Sequence, residues 1–152
     1  MKQAIDSPDV QVRASAPGES RATLDAFLDA ADVLYDRISE GLGRVGLSYA
    51  KYEVLKMLAD AQGPVTLGAL AEGACCARSN ITQIVDRLES EGLVRRVDDP
   101  DDRRSVRAEL SPEGAEKAEE GTGQIELVRA QCAAAFTAPV RAQPARLLST
   151  IG

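Results

Sequence analysis

The sequence has 152 residues, of which 44% are hydrophobic and 28% charged, so it is long enough for one domain with an apolar core. It contains no histidine, which excludes the commonest general base and the commonest zinc ligand from any site. The formal net charge of −6 argues against a nucleic-acid partner. However, residues 78–107 hold equal numbers of basic and acidic side chains, and every basic one is arginine.

Neither a membrane segment nor a disulfide framework is indicated. No apolar run approaches the roughly 20 residues that span a bilayer, and the first residues, MKQAIDSPDV, lack the apolar segment of a signal peptide. We therefore expect a cytoplasmic protein. Its three cysteines, an odd number, are expected to be thiols.

The N-terminal part of the chain divides into two segments. Residues 1–20 lack helical periodicity and contain two prolines and a glycine, which predicts a flexible extension. From Arg21 apolar residues recur at spacings of three and four, which predicts a long amphipathic helix ended by Gly41 and Gly43. The periodic positions are Leu24, Leu28, Ala31, Leu34, Tyr35, Ile38 and Leu42.

The next segment predicts two helices separated by a short strand. Ser48 is a plausible N-cap for a helix that runs to Ala61, where QGP breaks it. Val65 can form a brief strand, and Thr66 can cap the short helix LGALAEGA. A turn through the neighbouring Cys75 and Cys76 follows.

The segment ARSNITQIVDRLESEGL predicts a well-formed helix with an unusually polar start. One apolar stripe runs along it, and Gly92 occupies the position where a left-handed residue ends a helix. The stripe consists of Ile81, Ile84, Val85 and Leu88. The following LVRRV and SVRAEL predict a half-buried hairpin, in which Val106, Ala108 and Leu110 face inward and alternate with Ser105, Arg107 and Glu109.

The C-terminal part predicts further helices. Ser111 is a suitable N-cap, followed by Pro112 in the first helical position, where its missing N–H costs nothing. Gly121 and Gly123 weaken this helix partway and predict a bend. A last helix is predicted after Thr137, short or kinked because of Pro144.

This order of elements is typical of a helix-turn-helix, in which the second helix enters the DNA major groove. Arginine can contact guanine through two hydrogen bonds, and asparagine or glutamine can do the same with adenine. Candidate DNA-binding residues at the polar start of that helix are Arg78, Ser79, Asn80, Thr82 and Gln83. The alternative is that these side chains form an ordinary solvated helix face.

The loop between the two predicted strands combines aspartates with arginines. An arginine on a rigid two-stranded wing can reach into a narrow minor groove, where the negative potential is enhanced. Neighbouring aspartates can fix the direction of the guanidinium by a two-point hydrogen bond. The alternative is a turn that mixed charges keep soluble.

The stretch SNITQIVDRLESEGLVRRVDDPDDRRSVRAELSPEG resembles the winged-helix core of the MarR family of bacterial transcriptional regulators. The resemblance rests on the pattern of the polar helix, on EGLV, on DPDDRR and on LSPEG, and helix order extends it over roughly residues 22–151. It implies an α+β, mainly α fold with a winged helix-turn-helix domain at residues 47–110. Helices at residues 21–46 and 111–152 would form the dimerisation region.

The resemblance also implies a function and several residue roles. A homodimer would bind a pseudo-palindromic operator in double-stranded DNA, without a cofactor or catalytic activity, and act as a repressor released by a phenolic or other lipophilic ligand or by cysteine oxidation. The wing arginine of the family corresponds to Arg104 and its supporting aspartate to Asp102, with Arg103 between them. Ala77 stands where some members have an acidic residue that helps to hold the wing arginine.

Two switches and two rival functions remain open at this stage. Oxidation of Cys75 and Cys76 could displace the polar helix, although cysteine also serves as a small buried hydrophobe. A ligand pocket could lie among the first, second and fifth helices, with Tyr35, Tyr49 and Tyr52 as weak candidates. The main rival function is a winged-helix module that binds another protein. A small enzyme is disfavoured because no nucleophile is paired with a base.

Overall fold

The computed structural model describes residues 17–61, 63–100, 102 and 105–135. Within these residues the fold is mainly helical with one small antiparallel sheet, as predicted. The elements in chain order are α1 (Pro17–Arg44), α2 (Tyr49–Ala61), β1 (Val65–Thr66), α3 (Leu67–Gly73), α4 (Arg78–Ser90), β2 (Val94–Asp98), β3 (Val106–Leu110) and α5 (Pro112–Ala135). The helix predicted after Thr137 lies outside the described residues. No helix that the structure describes combines the length and apolarity needed to cross a membrane.

The chain forms two compact units, which divide between Tyr35 and Asp36. The first contains the N-terminal part of α1, which begins at Pro17, four residues before the predicted start at Arg21. The expected extension is therefore wrong for residues 17–20, and residues 1–16 lie outside the described part. Proline favours the first turn of a helix because its fixed φ is already helical, a signal that the prediction missed.

The end of α1 lies in the second unit and also differs from the prediction. The helix continues through Gly41 and Gly43 to Arg44. It ends because Gly46 adopts a left-handed φ of 74° and the amide of Leu47 donates to the carbonyl of Leu42 at 3.0 Å. Gly41 instead lies against α5, where an added Cβ would be 3.5 Å from Cβ of Gln124.

The predicted caps of the middle helices are confirmed. The amide of Lys51 donates to Oγ of Ser48 at 3.3 Å, one residue before α2 begins. The amide of Ala69 donates to Oγ1 of Thr66 at 3.2 Å, at the start of α3. Both hydroxyls satisfy an amide that a helix N-terminus would otherwise leave without a partner.

The core of the second unit contains the predicted stripe of α4. Ile81, Val85 and Leu88 are fully buried, whereas Ile84 is half-buried at its edge. The other fully buried large side chains are Leu42, Val54, Leu55, Leu58 and Leu70. Helix α4 is therefore packed against the rest of the second unit along one side only.

The three strands form a sheet in the order β1–β3–β2, and every pairing is antiparallel. The hairpin of β2 and β3 runs from the pair Val94 and Leu110 to the pair Asp98 and Val106. Ala108 is fully buried, as the alternation predicts, but Val106 is exposed. That part of the prediction is wrong because Val106 lies at the outer end of the hairpin, away from the core.

The long helix α5 starts as predicted, and its two glycines do not interrupt it; the bend expected there stays a prediction. The amide of Gly114 donates to Oγ of Ser111 at 2.9 Å, and Pro112 is the first helical residue. The helix then runs through Gly121 and Gly123 without interruption. Burial of Gly121 against α2 gives this glycine a packing role that local helix propensity does not reveal.

Candidate nucleic-acid interface

The helix-turn-helix consists of α3, α4 and the four residues between them. The turn is closed by the amide of Ala74, which donates to Leu70, and by the amide of Cys76, which donates to Ala71, both at 3.0 Å. Between them Cys75 adopts a positive φ of 49°, the only such value outside glycine in the described residues. This left-handed residue lets a tight turn connect the two helices.

The five candidate DNA-binding residues of α4 are all exposed. They occupy its first two turns, whereas Ile81 and Val85 fix the opposite side of the helix in the core. In the described part of the chain no hydrogen bond engages the side chains of Ser79, Asn80 and Gln83. The candidate residues are Arg78, Ser79, Asn80, Thr82 and Gln83. The side chains of Ser79, Asn80 and Gln83 can therefore reach base edges without first breaking a protein hydrogen bond, whereas the hydroxyl of Thr82 donates to the backbone carbonyl of Arg78 at 3.0 Å.

The N-terminus of α4 carries no side-chain cap. Ala77 is the N-cap residue, with φ −66° and ψ 144°, and its methyl group makes no hydrogen bond to the helix amides. Backbone N–H groups at such a terminus suit phosphate oxygens. Ala77 also offers no carboxylate that could brace a wing arginine.

Gly68 is a residue of this surface that the sequence did not indicate. An added Cβ at Gly68 would lie 2.5 Å from Nη2 of Arg78, so the guanidinium at the start of α4 lies directly over α3. The need for glycine at this position follows from the packing of α3 against α4, which no local sequence pattern indicates.

The helix-turn-helix and the hairpin meet at a cleft of about 380 Å³. We call β2, β3 and the loop between them the wing. The cleft is lined by Thr66, Leu67, Gly68, Arg78, Thr82, Asp102, Ser105 and Val106. Asp102, the predicted wing support, is exposed, and its backbone carbonyl accepts from the amide of Ser105 at 2.8 Å. Arg103 and Arg104 lie outside the described residues, so their contact with Asp102 stays a prediction.

A second wing contact was missed by the sequence analysis. Asp99 is only 7% exposed, and one of its carboxylate oxygens lies 2.8 Å from Nη2 of Arg107. Arg107 is half-buried, although the alternation predicted an outward position. In the hairpin Arg107 pairs with Val97, two residues before Asp99, and such diagonal neighbours are within reach of long side chains. The register of the hairpin could therefore have indicated this pair.

Arg96 of β2 connects the wing to α4 through ion pairs. Its guanidinium lies 2.6 Å from a carboxylate oxygen of Asp86 and 2.6 Å from one of Glu89. Burial of the guanidinium lowers the pKa of Arg96, but hydrogen bonds and charge attraction from the two carboxylates outweigh this effect and raise the pKa above its ordinary value. Because a raised pKa adds stability below the unfolded pKa, the contribution of Arg96 is constant across the neutral range.

The cysteines and tyrosines occupy different environments. Cys75 is an exposed free thiol and Cys76 is half-buried against the core. Tyr52 is buried, and its hydroxyl lies 3.2 Å from Oγ1 of Thr122. Tyr49 is half-buried and packs against the core. Tyr35 is exposed in the first unit.

Comparisons with known proteins agree on the winged-helix segment. The family model described as MarR family matches residues 47–106. The HTH-type transcriptional regulator PrsX of Escherichia coli is 32% identical over 99 residues, which are 64% of this chain and 60% of PrsX. The homoprotocatechuate degradative operon repressor of Escherichia coli is 29% identical over 123 residues, 81% of this chain and 82% of that protein. Both are named as regulators of transcription and not as enzymes.

The fold agrees with these sequence matches. Sco3205 of Streptomyces coelicolor, described as a MarR family transcriptional regulator and solved in complex with DNA, superposes with a TM-score of 0.76 at 26% identity. The alignment covers 93% of this chain and 90% of that one. Taken together, the matched segment and the shared fold show that this chain is similar to MarR family regulators of transcription, most clearly over residues 47–106.

Proposed function

We propose that this protein is a sequence-specific regulator of transcription that binds double-stranded DNA and represses nearby genes. The observation that carries the proposal is the exposure of five polar side chains on the first two turns of α4, whose other side is fully buried. A helix held in this way can insert its polar start into the major groove without unfolding anything. The complex of Sco3205 with DNA supports the same use of this fold.

Each part of the surface would read a different feature of the DNA. The amides of Asn80 and Gln83 suit adenine, and Arg78 suits guanine or a phosphate. Arg104 would enter the minor groove, with Asp102 and Arg103 beside it. Residues 47–110 would form this DNA-binding domain, and the flanking helices would join two subunits so that a pseudo-palindromic operator is contacted twice.

The proposal includes release of the DNA by a signal. The name of one relative, the homoprotocatechuate degradative operon repressor, supports repression. We propose a phenolic or other lipophilic ligand as one signal and oxidation of Cys75 and Cys76 as the other. Because Cys76 lies in the turn that leads into α4 and packs against the core, adding oxygen there would disturb the helix position.

The first experiment identifies the operator and tests α4. DNA would be selected from a random library with the purified protein, and affinity measured by fluorescence anisotropy. Asn80→Ala and Gln83→Ala should each weaken operator binding by about 1–3 kcal/mol while leaving binding to random DNA unchanged. The control Lys56→Ala removes an exposed cation from α2 and should change neither affinity. Failure to select any DNA would favour a winged-helix module that binds another protein.

The second experiment tests the wing. The logarithm of the affinity should fall linearly with the logarithm of the salt concentration, because phosphate contacts release counterions. Arg104→Ala should reduce that slope by about 1 if the arginine neutralises a phosphate charge. An unchanged slope and affinity would show that Arg104 does not touch DNA.

The third experiment tests the cysteines. Hydrogen peroxide converts a thiolate to a sulfenic acid: an S–O bond forms, the O–O bond breaks, and hydroxide leaves and takes up a proton from the solvent to become water. Treated wild type should lose operator binding, and thiol reductant should restore it. The variant Cys75→Ser/Cys76→Ser should keep its affinity after treatment. Identical loss in both proteins would exclude this switch.

A further inference from the structure

We propose that Arg96 is a positioning residue that fixes the wing to α4. The wing and α4 would then engage the minor and the major groove of DNA as one rigid unit. This inference rests on the proposed DNA-binding function and adds a residue that need not touch DNA itself. Neither the resemblance to the family nor the sequence pattern singled out this arginine.

The contacts of Arg96 connect β2 to about two turns of α4. Nη1 donates to a carboxylate oxygen of Glu89 at 2.6 Å, and Nη2 lies 2.6 Å from one of Asp86. Nη2 also approaches the backbone carbonyl of Thr82 at 3.5 Å. The backbone amide of Arg96 itself donates to the other oxygen of Glu89 at 3.0 Å. Both the side chain and the main chain of this residue are therefore tied to α4.

The helix positions of these partners explain how one side chain can reach them all. Thr82, Asp86 and Glu89 follow each other at spacings of four and three, so they lie on one side of α4. From first to last they extend along about 10 Å of the helix axis at 1.5 Å per residue. Such a contact resists both sliding and rotation of the wing strand along α4.

On the other side, Arg96 is the middle residue of β2, an edge strand that pairs with the central strand β3. It pairs with Ala108 of β3, which is fully buried and pairs in turn with Val65 of β1. The connection therefore runs from α4 through Arg96 into all three strands. The arginine next to it, Arg95, pairs with Glu109 of β3 instead and is mostly exposed.

Arginine suits this role better than lysine. A planar guanidinium offers several donors in a fixed arrangement and can serve two carboxylates at once, whereas an ammonium is a flexible point charge. Its side chain is 26% exposed, so water screens the contact less than at an open surface. If the contact between Arg96 and α4 is lost, α4 can still enter the major groove. The wing, however, is no longer held in the position from which it reaches the minor groove.

The test is a double-mutant cycle between Arg96 and the wing tip. In the wild-type background, Arg104→Ala should weaken binding to the selected operator on the order of tenfold. In the Arg96→Met background the same change should weaken binding by less than about twofold, because the wing is no longer placed to use Arg104. A loss of domain stability without a change of position would leave the effect of Arg104→Ala as large as before.

Two control variants and one measurement distinguish a change in the position of the wing from a change in net charge and from a loss of folding. Arg95→Met makes the same change of charge on the same strand but leaves α4 untouched, so there Arg104→Ala should keep its full effect. Glu89→Gln keeps the guanidinium and removes one of its two carboxylates, so it should reduce the effect of Arg104→Ala partway. Thermal unfolding followed by circular dichroism shows which variants are folded.

The possible outcomes distinguish this inference from the proposed function. If wild type selects no DNA, the proposed function is wrong and the role of Arg96 in DNA binding is wrong with it. If wild type binds an operator and Arg104→Ala has equal effects in the folded Arg96→Met, Glu89→Gln and wild-type backgrounds, only the positioning role is overturned. Equal reductions in the Arg95→Met and Arg96→Met backgrounds would also overturn it, since charge alone would then explain the loss.

Discussion

At the scale of single residues, the most unusual position is Cys75, whose φ of 49° places a side chain in the left-handed region. There Cβ crowds the following carbonyl oxygen, at a cost of roughly 1–2 kcal/mol. Glycine avoids this crowding, but it also loses more backbone freedom on folding. The turn between α3 and α4 therefore contains local strain that the hydrogen bonds of Ala74 and Cys76 hold in place.

We predict that Cys75→Gly stabilises the protein. The gain in free energy of unfolding should be about 0.5–1 kcal/mol, because relief of the left-handed strain exceeds the entropy that glycine loses. Urea unfolding followed by circular dichroism measures it. The control Cys75→Ala removes the thiol but keeps Cβ, so it should leave the stability nearly unchanged. A glycine variant no more stable than the alanine variant would show that the turn holds Cys75 without strain.

At the scale of whole elements, α5 contains two glycines with opposite environments. An added Cβ at Gly121 would lie 2.6 Å from Cδ2 of Tyr52 and 3.1 Å from Cδ1 of Leu47, whereas nothing lies within 4 Å of one at Gly123. The ring of Tyr52 is buried and its hydroxyl contacts Thr122, so it cannot easily move aside. The first glycine allows α2 and α5 to approach closely, and the second has no such role.

Substitution of the two glycines by alanine should change the free energy of unfolding in opposite directions. Gly123→Ala should raise the free energy of unfolding by about 1 kcal/mol, since alanine is the better helix former. Gly121→Ala should lower it by about 1–3 kcal/mol despite the same gain in propensity, because the added methyl overpacks the contact with Tyr52. Thermal unfolding of both variants checks this. Equal stabilisation would mean that α5 can shift away from α2 without cost.

These glycines also show where sequence reasoning ends at this scale. The stripe of α4, its exposed polar start and the caps at Ser48, Thr66 and Ser111 follow from patterns within a few residues, and all were predicted. The uninterrupted α5 was not, because what keeps Gly121 in the helix is Tyr52, which lies far away in the sequence. Arg96 and Arg107 were missed as contacts for the same reason, since their partners follow from hairpin register and helix packing.

At the scale of the whole molecule, the first unit leaves a set of apolar side chains exposed on one side of α1. Monomeric proteins rarely expose contiguous apolar patches, and such patches commonly mark an interface. The exposed side chains of this set are Leu24, Phe27, Leu28, Leu34 and Tyr35. Their spacing of three, four and seven places them along one stripe. We propose that a second copy of this chain covers the stripe, which would give the homodimer that a two-part operator requires.

The dimer is tested by placing a charge in this stripe. Phe27→Lys should shift the protein from dimer to monomer in sedimentation velocity at micromolar concentration, because a buried ammonium without a partner opposes association. Val33 provides the matched control, since it is 60% exposed and lies nine residues after Leu24, about half a turn away from the stripe. Val33→Lys should therefore remain dimeric and keep its operator affinity. If both variants sediment like wild type, the stripe is not the interface. If wild type itself sediments as a monomer, operator binding by a pair of subunits has to be abandoned.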